Sequence, residues 1–462
     1  MTLIVTSEFD LNRVVAPRLP TAPVTYESRY QDQLNDVLRL YFNRLDNLLG
    51  QLVATIDTLP VSIGGTNVDA FGRVRVSQPY TLFDSQSRYA ADNQFSTSTS
   101  GTGSTTFNSN QASVSMTVTA GGVGSVVRQS YRNMIYQPGK GLLVLATFVM
   151  DNGVSANLNQ KVGYFNTQNG VFFQRTNGIN SFVLRSNISG TPSDARAAAQ
   201  STWNGDKLDG TGASGYTLDL THPQILWMDF EWLGVGSVRC GFIINGQYVV
   251  CHTFDTANTY GSTVYMTTAI LPVRYEITTT TAAVAATLTQ ICSSVMSEGG
   301  FEATSIEHVA RRTTILNTIN TAANFLPVVS IRLASTALGA VVIPSRIQFQ
   351  PTTLQNYEIA LIKNPTLTGA SWAAVNSDAN VEYDVSATAI SAAGTITQTA
   401  YIANSGGGGQ ADTTAPTGFN WDQQLGVSLT DVSDIYTLGV RTISGATTGD
   451  GVGSLSFYDL TQ

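Results

Sequence analysis

From Pro223 to Phe254 the chain reads as a strand followed by a tight hairpin, and no other stretch restricts the fold as much. Leu226, Met228, Phe230 and Trp232 alternate with Ile225, Trp227, Asp229 and Glu231, which gives one apolar face and one mixed face. Asn245-Gly246 then marks a two-residue turn, because both positions need a left-handed backbone. Counting outward from it, Ile244 faces Gln247, Phe242 faces Val249 and Cys240 faces Cys251. The wall of Cys240, Phe242, Ile244, Val249 and Cys251 needs a second sheet over it, so the stretch predicts the core of a β-sandwich.

The mixed face poses the chemical question. Asp229 and Glu231 lie two residues apart on one side of the strand, and paired carboxylates cleave glycosidic bonds in glycoside hydrolases. The jelly-roll enzymes of glycoside hydrolase family 16 carry a strand motif E-x-D-x-E. Residues 227–231, Trp-Met-Asp-Phe-Glu, resemble it, but Trp227 stands where the nucleophilic Glu would be. That departure removes the group a retaining double displacement needs. The chain is therefore read as no enzyme. Trp227, Asp229 and Glu231 become a candidate glycan-contact surface, since an aromatic ring beside polar groups suits a sugar. The competing reading packs this face against a neighbouring strand layer or subunit.

Short alternating stretches recur from Ala112 to Glu298 and again from Pro327 to Tyr458, with turn residues between them. That spacing predicts antiparallel sandwiches. Among the expected strands are Gly124–Ser130, Val238–Ile244, Gln247–Phe254 and Ser262–Ala269. The low-complexity run 94–111 reads as a loop or a polar edge, and Gly406–Gly409 as a surface loop. Ahead of the β region, Leu34, Leu38, Tyr41, Leu45, Leu48 and Leu52 follow a heptad seam. Two readings stand: a helical bundle around an oligomer axis, read as threefold, or an amphipathic helix docked on its own β domain.

The fold class is thus mainly β: an N-terminal arm and an amphipathic helix, then two antiparallel, jelly-roll-like β-sandwich domains. The expected divisions are an extended arm at 1–24, a helical anchoring segment at 25–59, and a β-rich connector with the first sandwich at 60–300. A linker holding a short helix or turn follows at 301–325, and a second sandwich at 326–462.

Composition narrows the partners. Charged residues make up 12% of the 462 positions, against about 25% in ordinary soluble proteins. With a net charge of -8 and no basic cluster, nucleic acid is not an expected partner. The longest apolar runs, such as Gly141–Met150, are too short to span a bilayer, so no membrane insertion is expected. The first residues show no basic, apolar leader pattern, which predicts synthesis in a cytoplasm and no signal-directed export. The 3 cysteines, Cys240, Cys251 and Cys292, are expected as reduced thiols, with a strained Cys240–Cys251 disulfide as the alternative. The 3 histidines, His222, His252 and His308, have no metal-ligand spacing, and His252 is expected to pair across the hairpin with Arg239. No P-loop or nucleophile elbow is present, and neither cofactor nor metal is expected.

Several motifs add a family resemblance. Val68-Asp-Ala-Phe-Gly-Arg-Val-Arg-Val-Ser77, Thr81-Leu-Phe-Asp-Ser85, residues 136–145, 208–212 and 224–236, and Leu271-Pro-Val-Arg-Tyr-Glu-Ile277 resemble uncharacterised virion structural proteins of marine tailed phages, cyanophages among them. The match covers residues 60–300. The central domain also resembles the concanavalin/laminin-G type of jelly roll, a fold that hosts lectins and hydrolases alike. The resemblance implies a place on a phage particle and brings no catalytic residues. The expected role is a trimeric fibre or spike, bound to other virion proteins through residues 1–59 and displaying β domains to a host glycan. The alternatives are a capsid or tail decoration with no receptor, or a polysaccharide depolymerase.

Overall fold

The computed structural model describes residues 27–58, 79–151, 156–282, 284–321, 324–403, 411–414, 420–443 and 448–461, with Leu19, Thr21, Val24 and Thr25. Most of the expected arm, the 60–78 part of the connector and the Gly406–Gly409 loop lie outside these residues. The chain divides into two compact units, 1–64 and 65–462.

The first unit holds one α-helix, Ser28–Thr58, of 31 residues. It carries no Pro, and Leu, Arg, Gln and Ala supply its propensity. The heptad stripe is incompletely covered: Leu34, Leu38, Tyr41 and Leu45 are only half-buried. Leu40 and Phe42, beside the stripe, are 58% and 59% exposed. Leu48 and Leu52 continue the helix, but their side chains lie outside the described ones.

The second unit contains two sandwiches, and every strand pairing in them is antiparallel. In the first sandwich one sheet runs Gln247–Phe254, Val238–Ile244, Gln224–Phe230, Leu142–Met150, Ala286–Ser297, Ser113–Val118, Gly103–Asn108, with Tyr80–Gln86 also on Ala286–Ser297. The facing sheet runs Ser193–Ala199, Ile179–Ser186, Gly170–Thr176, Leu158–Phe165, Val273–Thr279, Gly124–Ser130, Phe95–Gly101. Phe148, Phe173, Phe182 and Phe242 meet between the sheets, with ring centroids 5.3–6.0 Å apart. The run 94–111 forms the polar edge: Phe95–Gly101 and Gly103–Asn108 are edge strands of opposite sheets. Their exposed Ser and Thr side chains explain why no apolar alternation marks them.

The second sandwich packs Glu307–Arg311, Gly449–Asp459, Val342–Pro351 and Ala411–Thr414 against a six-stranded sheet. That sheet is Ala373–Ala374, Val381–Asp384, Leu326–Leu333, Ile435–Thr442, Tyr357–Lys363 and Thr395–Ile402. Ile347, Phe349, Leu438, Leu455 and Phe457 are buried between them.

Three expectations need correction. Among its described residues the 301–325 linker carries strands where a short helix or turn is expected: Glu307–Arg311 and Leu316–Ile319 both pair with Gly449–Asp459. Ser262–Ala269 is not a strand, because its backbone donors are used elsewhere: Tyr265 N–H binds the Gly234 carbonyl and Thr267 N–H binds Asn169 Oδ1. In the hairpin, Asn245 and Gly246 take φ of 52° and 77°, as the turn requires. The register holds to Gly241 opposite Val250 and then slips by one residue, so that Cys240 faces His252. A β-bulge takes up Cys251. Both thiols are buried and free, and burial pushes both of them up.

Candidate functional site

The expected contact face on Gln224–Phe230 is closed. Leu226, Met228 and Phe230 enter the sandwich core, yet Trp227 and Asp229 on the other side are also 0% exposed. Trp227 lies opposite Gly241, where a Cβ would fall 2.9 Å from the indole nitrogen. The missing side chain makes room for the ring, whose Nε1 donates to the Val249 carbonyl at 3.3 Å. Tyr248 meets it edge-on at 5.4 Å. Asp229 is opposite Arg239, which donates from Nε to Oδ1 at 2.8 Å and from Nη2 to Oδ2. Glu231 falls past the strand end and accepts from Ser237 N and Oγ, each at 3.3 Å. The structure therefore does not bring Trp227, Asp229 and Glu231 together as an open surface. Arg239 serves Asp229 and not His252; His252 Nδ1 accepts from Asn204 N–H at 3.3 Å. Among the described residues no group of three or more His, Cys, Asp or Glu is placed to hold a metal ion.

The open concavities lie elsewhere. One, of about 560 Å³, opens between the two sandwiches. Asn93, Gln94, Tyr131 and Arg132 of the first sandwich face Lys363, Asn364, Thr395, Asp422 and Asp434 of the second. The junction is fixed by the 420–434 segment. Val427 N–H donates to the Tyr131 carbonyl at 2.8 Å, Gln424 Nε2 to the Asn133 carbonyl at 2.9 Å, and Trp421 Nε1 to Tyr80 Oη at 2.9 Å. Trp421 also packs edge-on against Phe301 at 5.0 Å.

The polar groups of this cleft are held in ordered pairs. Lys363 ends the strand Tyr357–Lys363 and reaches Asp434 Oδ2 at 3.0 Å. Asn364 Nδ2 donates to Asp434 Oδ1 at 2.7 Å. Arg132 follows the strand Gly124–Ser130 and is only 8% exposed. Its guanidinium stands over the Phe83 ring at 5.4 Å, donates to Gln94 Oε1, and lies 3.4 Å from Asp422 Oδ1. Its Nη1 is buried and makes no hydrogen bond among the described residues. Burial pushes the Arg132 pKa down, against the pull of Asp422, Asp84 and Asp92. The cleft thus presents positive, negative and amide groups side by side, near charge balance.

A second polar cleft, of about 390 Å³, also runs between the sandwiches and shares Tyr131 with the first. A third, of about 220 Å³, lies on the first sandwich beside Arg196 and Tyr260, whose ring is 4.1 Å from the guanidinium. None of Trp227, Asp229 and Glu231 lines any of the three. The residues of the first cleft were not singled out from sequence. They come from five separated segments, and no local spacing marks them.

No protein-family model matches the chain, and no curated protein matches it. Solved structures similar to it include the carbohydrate recognition domain of Emp47p, at 10% identity and a TM-score of 0.31, covering 48% of this chain and 98% of that one. The conserved carbohydrate esterase of the Shiga toxin-encoding bacteriophage phi24B is similar at 11% identity and TM-score 0.29, over 48% of this chain and 99% of that one. Arcelin-5, a lectin-like defense protein from Phaseolus vulgaris, is similar at 11% and 0.30, over 46% and 96%. Likenesses this distant identify no ligand for this chain.

Proposed function

We propose that this chain is a non-enzymatic attachment protein on the particle of a tailed phage, held there in several copies and binding host-surface glycan. The observation that carries the glycan reading is the cleft of about 560 Å³ between the sandwiches. Its volume falls in the range of small-ligand sites, about 300–1,000 Å³. Its lining alternates donors and acceptors at near-zero net charge, as a hydroxyl-rich, uncharged ligand requires. The phage particle and its surface as location rest on the sequence resemblance over residues 60–300. The multicopy reading rests on the helix Ser28–Thr58 and on the heptad stripe that its sequence carries. A second and third copy of the same helix would cover it, which is the geometry of a trimeric stem. Weak sites then suffice, because several linked copies raise avidity by about 10²–10⁴.

The non-enzymatic reading is supported by Asp229, whose carboxylate is buried and engaged by Arg239, and by the Trp at position 227. Glycan-array binding by the purified chain tests the attachment role. Binding by the native chain and its loss in Thr395→Trp, which fills the cleft from an exposed position, is the expected result. Binding that survives Thr395→Trp refutes the cleft. Absence of binding to any glycan favours a decoration protein with no receptor. Release of reducing sugar from host polysaccharide, abolished by Glu231→Gln, refutes the non-enzymatic reading.

A further inference from the structure

The two inter-sandwich clefts meet at one residue. Tyr131 lines both, is half-buried, and has its carbonyl tied to Val427 N–H at 2.8 Å, so its place between them is fixed. We propose that the two clefts are one groove for a neutral oligosaccharide chain, with the Tyr131 ring as the platform between its subsites. This deepens the glycan reading above and rests on it.

Charge selects a neutral ligand. In the first cleft Arg132 and Lys363 are set against Asp422 and Asp434; the second is lined by one cation, Arg274, and one carboxylate, Asp431. An acidic or a basic chain would meet like charge in either half, whereas hydroxyls both donate and accept. Arg274 is already held by Glu276, at 2.9 and 3.1 Å, and by Gln129 at 2.9 Å, so it offers a fixed wall. Arg132, nine-tenths buried at the wall of the first cleft, is likewise held, by Gln94 Oε1 and by Asp422 Oδ1 at 3.4 Å, so it too is a fixed wall. An aromatic ring with a polar tip supplies an apolar face for the ring C–H groups of a sugar. Volumes of about 560 and 390 Å³ on either side of that ring provide for a chain of several residues and not for one terminal sugar.

Calorimetric titration with neutral homo-oligosaccharides of glucose, mannose, galactose and xylose, from one to six residues, tests this. One chain bound per groove is expected, with affinity rising roughly tenfold or more from dimer to tetramer as both halves engage. Thr336→Trp, at an exposed position of the second cleft, should erase that rise and keep dimer binding. Tyr131→Ala should also erase it, and Thr395→Trp should abolish binding at every length. Equal affinity at all lengths, two independent sites, or a rise that Thr336→Trp leaves intact overturns the single groove while the glycan reading stands. No binding at any length overturns both. Thr336→Trp decides the matter even if Tyr131→Ala fails to fold.

Discussion

Replacing Arg239 by Leu should destabilise the first sandwich severely while leaving the lining of the inter-sandwich cleft unaltered. Asp229 is 0% exposed and takes two hydrogen bonds from the Arg239 guanidinium, one of them at 2.8 Å. Removing the cation strands a carboxylate in the sheet, which costs about 3–5 kcal/mol for buried pairs. Against a total of about 5–15 kcal/mol for a domain, that is a large share. For a urea dependence near 2 kcal/mol per molar, the unfolding midpoint should fall by about 1.5–2.5 M. Trp203, Trp227 and Trp232 belong to the first sandwich and Trp372 to the second, so emission is followed in a Trp372→Phe background to weight the first transition. Asp229→Leu combined with Arg239→Leu removes both charges and should cost less than Arg239→Leu alone. Asp229→Asn should leave glycan binding unchanged. An Arg239→Leu midpoint within error of the native one, or a double variant worse than the single, would refute the view that this pair is structural.

Other outcomes follow from the same physics. Leu38→Asp with Leu45→Asp should reduce the light-scattering mass to that of one chain, since charges on the seam oppose its burial; an unchanged mass removes the helix as oligomer axis. Burial and the neighbouring Arg196 lower the pKa of His252, with Asp255 opposing them. Its contribution to stability is therefore full above the unfolded value of about 6.5 and is lost as pH falls through the folded one. His252→Asn should flatten that part of the stability profile between pH 7 and 5, as read by thermal unfolding. Gly246→Val should cost about 1–2 kcal/mol in chemical denaturation, because φ of 77° disfavours a branched side chain.

Local chemistry made much of the architecture legible in the sequence. Asn245-Gly246 set the hairpin, and the strands Gly124–Ser130, Val238–Ile244 and Gln247–Phe254 fall where alternation places them. What failed depended on distant partners. Alternation along Gln224–Phe230 separates two faces but does not say that Trp227 and Asp229 are buried on the outer one; glycine at position 241 of the next strand leaves room there for the Val249 carbonyl and the Trp227 indole. The bulge at Cys251 breaks the count from the turn and moves His252 away from Arg239. Glu307–Arg311 finds its partner in Gly449–Asp459, over a hundred residues on, and in isolation its charges resemble a linker. The cleft was the least legible of all. Asn93, Arg132, Lys363, Thr395 and Asp434 become neighbours only when the 420–434 segment fastens the two sandwiches.

Amide hydrogen exchange, with and without the tightest-binding oligosaccharide, addresses the site most directly. Slower exchange should appear around residues 93–94, 131–132, 363–364, 395 and 422–434, with the strand Gln224–Phe230 unchanged by ligand. Protection confined to the Arg196 and Tyr260 cleft, or centred on Trp227, Asp229 and Glu231, would contradict a binding groove between the sandwiches.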